Sequence, residues 1–249
     1  MEKKRYYFDT MGNDDEAYKE AISLAHDLAK SDPEIGRIIL LAHAKGSIGW
    51  LERAYGHEDV KKMQKGAKLS NCNASIKVES KRTYKNPVGT KDIVITMGLD
   101  SDDVFKVDDF CSVKAIIAIP WLKEGLERWI STWGPIEART ATKAPKFSKL
   151  DCIVQEAFKS LTRTINMTTG IHHPSDNNRA KTYIRALHKY GEIDGAQVAG
   201  FLVSELGWDA KHADEVKALI DRLNEGRYFQ GGDKTGLQNH YKRWKEACK

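Results

Sequence analysis

Three carboxylates fall within four positions at Asp100, Asp102 and Asp103, directly after the apolar, β-branched run IVITMG of residues 93–98. Acids at the end of a buried strand can hold Mg²⁺, and bound Mg²⁺ activates water against a phosphodiester. A partner acid stands at Asp9, which ends a first strand-like segment, RYYFDT (5–10), with Asp14 and Asp15 close behind. Asp9, Asp100, Asp102 and Asp103 are therefore the candidate metal ligands, and Mg²⁺ is the cofactor that this reading requires. The same acids have a plainer use. Asp or Ser ahead of a helix accepts N–H bonds from its first turn, and further acids there complement the helix dipole. Capping alone accounts for the cluster without any metal.

The segment AHAKGSIGW (42–50) offers a different chemistry. A compact apolar run, GRIILLAHA (36–44), leads into Lys45, Gly46 and Ser47 and then into a helical pattern. Backbone N–H groups at such a turn, with the Lys45 ammonium and the Ser47 hydroxyl, make an anion site. The order of residues is not that of a Walker loop, and no GxGxxG fingerprint is present. Gly98 and Ser101 stand at the equivalent place after the later strand. His43, beside the loop, has the ordinary pKa range for acid–base work. Gly46 and Ser47 also suit a plain strand-to-helix turn, and a single His at a strand end is an ordinary structural residue.

Charge is segregated. Residues 61–91 carry nine Lys or Arg, among them Lys77, Lys81, Arg82 and Lys85, against the single acid Glu79. Residues 100–109 carry five Asp against Lys106 alone. The net charge of +5 comes wholly from residues 140–249. A basic run of this kind binds phosphate backbones or forms a solvated surface. The tail mixes Lys242 and Arg243 with Tyr228, Phe229, Tyr241 and Trp244, a mixture suited to stacked bases or to an amphipathic helix packed back on its own domain.

These residues need a frame. Strand-like runs (5–10, 36–44, 75–80, 92–98, 113–120) alternate with helical stripes, such as Ala17, Ala21, Leu24, Ala25 and Leu28. Apolar strands alternating with helices predict a Rossmann-like α/β domain, a mostly parallel sheet of four or five strands covered on both faces. Ligands of such sheets bind beyond the carboxyl ends of the strands, where Asp9, His43–Ser47, Gly98–Asp103 and Trp121 stand. The predicted domain spans 1–137. Residues 138–147 read as a linker, and 148–249 as an all-helical domain, a natural site for a protein partner. Within it, 194–223 reads loosely as helix–turn–helix, but its second helix mixes acids with bases, unlike a DNA-reading helix. His172 and His173 share a loop with no Cys or carboxylate at metal spacing, so zinc is not expected there.

Four scattered cysteines (Cys72, Cys111, Cys152, Cys248) without a CxxC pair predict reduced thiols and a cytoplasmic protein. No apolar run is long enough for a membrane span, and the basic start MEKKRYYFDT lacks the core of a signal peptide. The strand-end acids resemble those of metal-dependent nuclease folds such as the PIN and NYN domains. That resemblance implies a Mg²⁺-dependent nuclease or phosphodiesterase, with residues 61–91 and the tail holding the phosphate backbone. The reading that the residues support first is a phosphorylated ligand, a nucleotide, bound at the strand ends around Lys45–Ser47 and Gly98–Asp103. Catalysis is not required by it, and a non-catalytic adaptor is the third expectation.

Overall fold

The computed structural model describes residues 3–12, 14–44, 48–86 and 88–249. They form two compact units, Met1–Lys146 and Phe147–Lys249. The first alternates strands and helices: β1 (Lys4–Tyr7), α1 (Asp15–Ser31), β2 (Arg37–Ala42), α2 (Gly49–Tyr55), α3 (His57–Lys65), β3 (Ala67–Lys68), β4 (Ser75–Ser80), β5 (Asp92–Met97), α4 (Ser101–Asp108), β6 (Val113–Ile119), a 3-10 turn (Lys123–Leu126), α5 (Glu127–Trp133) and β7 (Ile136–Glu137).

The strands make one sheet in the order β3-β4-β2-β5-β6-β1-β7, parallel except for β3 against β4. Seven strands replace the four or five expected. The two additions, β3 and β7, are two residues long, too short to show any alternation in sequence. Alternation sorts the side chains of the long strands onto two faces. Ile38, Leu40, Ile93, Ile95 and Ile117 pack with Ala17, Ala21 and Ala25 of α1 in one core. Ile39, Leu41, Val94, Ile116 and Ala118 point to the opposite face and are equally buried. Each such Ile or Leu contributes about 1.5–3 kcal/mol over leaving it exposed. Small residues on the α1 stripe let that helix lie close to the sheet.

Two buried carboxylates tie the unit together, and both are fully partnered. Asp92, at the start of β5, takes Arg37 in a two-point pair (2.9 and 2.6 Å) and the Tyr84 hydroxyl (2.8 Å). Arg37 and Asp92 stand opposite one another in the β2–β5 register, so the pair fixes that register. Asp108 takes Arg5 (2.9 and 3.0 Å) and the indole of Trp129 (2.8 Å), while the Arg5 guanidinium lies 3.6 Å from the Trp133 ring centre.

The boundary between the units, at Lys146 and Phe147, falls at the end of the expected linker, 138–147. Ala138 N–H donates to Tyr7 (2.9 Å), Lys143 bridges to Ile136, and Ala144 N–H donates to Pro135 (2.8 Å). Residues 138–144 thus fold back along the sheet edge, and the Thr, Ala and Lys side chains there carry no period to read.

The second unit is all helical: α6 (Cys152–Thr162), α7 (Pro174–His188), α8 (Gly195–Ser204), α9 (Ala210–Asn224) and α10 (Leu237–Ala247). Asp151, His173, Asp194 and Asp209 cap the first four helices. The fifth is the basic tail in its packed-back form. Trp244 is buried against Tyr183, and Tyr241 stacks on Tyr190 (3.7 Å). The expectation of reduced thiols is corrected here: α10 packs along α6, and Cys152 is bonded to Cys248 (Cα–Cα 5.9 Å). Their spacing of 96 residues concealed the pair. Cys72 and Cys111 are free. The bond removes the thiol argument for a cytoplasmic location. Among the described residues, no helix is long and apolar enough to cross a membrane.

Candidate functional site

Neighbouring strands β2 and β5 send the chain in opposite directions. From β2 it passes through α2 and α3 to β4, and from β5 through α4 to β6 on the other side. In open α/β sheets the crevice at such a reversal, beyond the strand ends, is where ligands bind. A cleft of about 430 Å³ lies there. Its floor is Ala42 and Met97, paired in register at the last positions of the two strands. His43 and Gly98 follow directly. Gly98 has φ +67°, which only a residue without Cβ adopts freely, and a Cβ there would lie 3.6 Å from Trp121.

The walls are aromatic. Trp50 on α2 stacks on Tyr18 of α1 with ring centres 3.7 Å apart. Burial, then Asp15 and Asp14, push the Tyr18 phenol up to about 12, so it stays protonated at neutral pH. Trp121, after β6, closes the other side and is 52% exposed. Leu122 and Met11, in the loops after β6 and β1, are also exposed, and the Trp121 carbonyl accepts from Gly12 N–H (2.7 Å). Arg53 supplies a cation on the rim, steadied by Asp15 (3.1 Å).

The predicted site residues divide into groups. His43 and Gly98 line the cleft together. Lys45, Gly46 and Ser47 lie outside the described residues, in the connection between His43 and α2. Ser101 is occupied elsewhere: its hydroxyl donates to Gly125 carbonyl (2.7 Å) and accepts from Trp129 N–H (3.3 Å), tying α4 to α5.

The aspartates do not converge. Asp100 caps α4, accepting from Asp103 N–H (3.0 Å). Asp102 pairs with Arg128 (3.0 Å), and Asp103 with Lys81 and Lys106. Asp9 pairs with Lys123 (2.8 Å), at the end of a strand separated from β5 by β6. Its backbone N–H donates to Glu137 (3.3 Å), a buried acid held below its usual range: burial alone would raise it, but donors from Thr140, Asp9 and Arg139 outweigh burial. Among the described residues, these four aspartates do not form one metal-ligating group.

The basic residues are likewise split. Lys77 pairs with Glu79 (2.6 Å) and Lys81 with Asp103, whereas Arg82 and Lys85 are exposed on the turn after β4. Lys242 and Arg243 are exposed on α10, and Arg243 contacts His240 (3.1 Å). Phe229 and Trp244, read as stacking residues, are buried instead.

Sequence reasoning missed the importance of Arg53, Tyr18 and Trp121 as a set. Trp121 carried a signal, since it directly follows Pro120 at a strand end. Residues 150–245 match the family described as Domain of unknown function (DUF1889), which covers the helical unit and leaves the α/β unit outside the match. No curated protein and no solved structure matches the chain.

Proposed function

We propose that the α/β unit binds a phosphorylated ligand, a nucleotide, in the cleft between the β2 and β5 ends. The observation that supports this most is the composition of that cleft: Trp121 half exposed on one side, Trp50 stacked on Tyr18 on the other, and Arg53 on the rim. An aromatic wall receives a base by stacking, at about 1–3 kcal/mol per base. Arg53 on the rim then faces the phosphates. Catalysis is not required, and the helical unit serves contact with a protein partner.

The test is thermal unfolding of the full chain with a nucleotide panel, in EDTA and then in Mg²⁺. A ligand at a hundredfold excess over its dissociation constant adds about 2.7 kcal/mol of stability. The expected result is a shift that survives EDTA and is lost in Trp121→Ala and Lys45→Ala. A shift that needs Mg²⁺, vanishes in Asp100→Asn and comes with phosphodiester cleavage would instead establish the nuclease reading. No shift with any nucleotide would reject the ligand reading and leave the adaptor.

A further inference from the structure

Among the described residues, three metal-capable side chains converge in one place, and it is in the helical unit: His172, His212 and Glu215. We propose that they form a binding site for a divalent transition metal, zinc by donor set. His212 and Glu215 stand at i and i+3 on α9, so they share a face. The loop ahead of α7 delivers His172 to the same point. His172 Nε2 lies 3.0 Å from one Glu215 oxygen, and His212 Nδ1 lies 3.6 Å from the other. The two imidazoles meet edge to face with centres 5.2 Å apart, and one donor atom from each residue lies within 4.8 Å of the other two. Tetrahedral zinc, with bonds of about 2.0–2.1 Å, sets neighbouring donors about 3.3 Å apart. The two His–Glu215 separations, 3.0 and 3.6 Å, bracket that spacing.

A surface ion pair between His172 and Glu215 does not explain the third member. His212 is 9% exposed, and its Nδ1 is buried with no hydrogen-bond partner. An orphaned buried polar atom of this kind costs about 1–3 kcal/mol unless something satisfies it. The ring is also held from behind. Gly170 has φ +56°, and a Cβ there would fall 2.4–2.6 Å from the His212 ring, so the backbone clasps the imidazole in place. His172 is exposed, so water completes the coordination and the fourth position stays open. Two neutral imidazoles and one carboxylate form a donor set that suits zinc better than Mg²⁺ or Ca²⁺.

The experiment is titration of the chelator-stripped full chain with ZnCl₂ by calorimetry, and with Co²⁺ by visible absorption. The wild type should take one equivalent and give the bands of tetrahedral Co²⁺. His172→Ala changes an exposed residue and Glu215→Gln keeps the side-chain volume, so both should fold, which circular dichroism checks. Loss of a direct ligand should weaken binding by at least the about 10–100-fold seen when an outer partner of a ligand is removed. Cys72 and Cys111 remain in every variant as the competing soft ligands. No saturable zinc uptake by the wild type, or variants that take up zinc as tightly as the wild type, overturns the assignment.

Discussion

Breaking the Cys152–Cys248 bond should unfold the helical unit at a much lower temperature while leaving the α/β unit as it was. The bond spans 96 positions and so closes nearly all of Phe147–Lys249 into one loop. A loop of about 100 residues removes about 4.7 kcal/mol of chain entropy from the unfolded state, and measured bridges deliver about 2–4 kcal/mol. Taking 3–4 kcal/mol, and about 4–8 °C per kcal/mol for a domain of this size, the midpoint should fall by roughly 12–32 °C. The assay is calorimetry of the full chain, oxidised and reduced, with Cys248→Ser as the variant that needs no reductant. Amide exchange locates the effect: α6 and α10 should lose protection first, since α10 packs on α6 and α7. The α/β unit carries only the free Cys72 and Cys111, so its transition is the internal control. A reduced protein with an unmoved midpoint, or an oxidised protein in which all four thiols react, would refute the reasoning.

Asp92→Ala leaves Arg37 and the Tyr84 hydroxyl without their acceptor; breaking such a pair costs about 3–5 kcal/mol, with the lower end expected because Arg37 is partly exposed. Urea unfolding measures it, and a loss below about 1 kcal/mol would mean that the pair behaves like a surface one. Gly98→Ala forces a Cβ into the left-handed region at φ +67°, at about 1–2 kcal/mol, while the new methyl meets Trp121 only in ordinary contact at 3.6 Å. Unchanged stability in the same urea assay would show that the loop relaxes. Glu137 has a folded pKa below its ordinary 4.5, so its contribution is complete above that pH and fades as pH falls through the lower folded value. The stability gap between wild type and Glu137→Gln should therefore be constant above about pH 5 and shrink in acid; a gap that widens in acid would reverse the sign assigned to the shift.

The alternation of apolar runs with helical stripes made the parallel sheet legible, because burial on both faces leaves no other use for residues such as those of β2, β5 and β6. The short edges β3 and β7 were not legible, since two residues carry no period, and their pairing is set by strands already in place. The acidic run 100–109 shows why residue type is not role. Its carboxylates look alike in sequence, yet Asp100 caps a helix, Asp102 and Asp103 meet cations from different elements, and Asp108 is buried under Arg5 and Trp129. Each assignment depends on a residue brought in from elsewhere in the fold, which spacing along the chain does not encode. The cysteine pair and the His172, His212 and Glu215 cluster were hidden for the same reason. What the sequence did place was the end of the sheet at which the cleft opens, because strand direction alone determines it. His43 and Gly98 share the cleft since β2 and β5 are neighbours that end together. Trp121 completes it because a strand that runs straight into Pro-Trp has no turn in which to bury an indole.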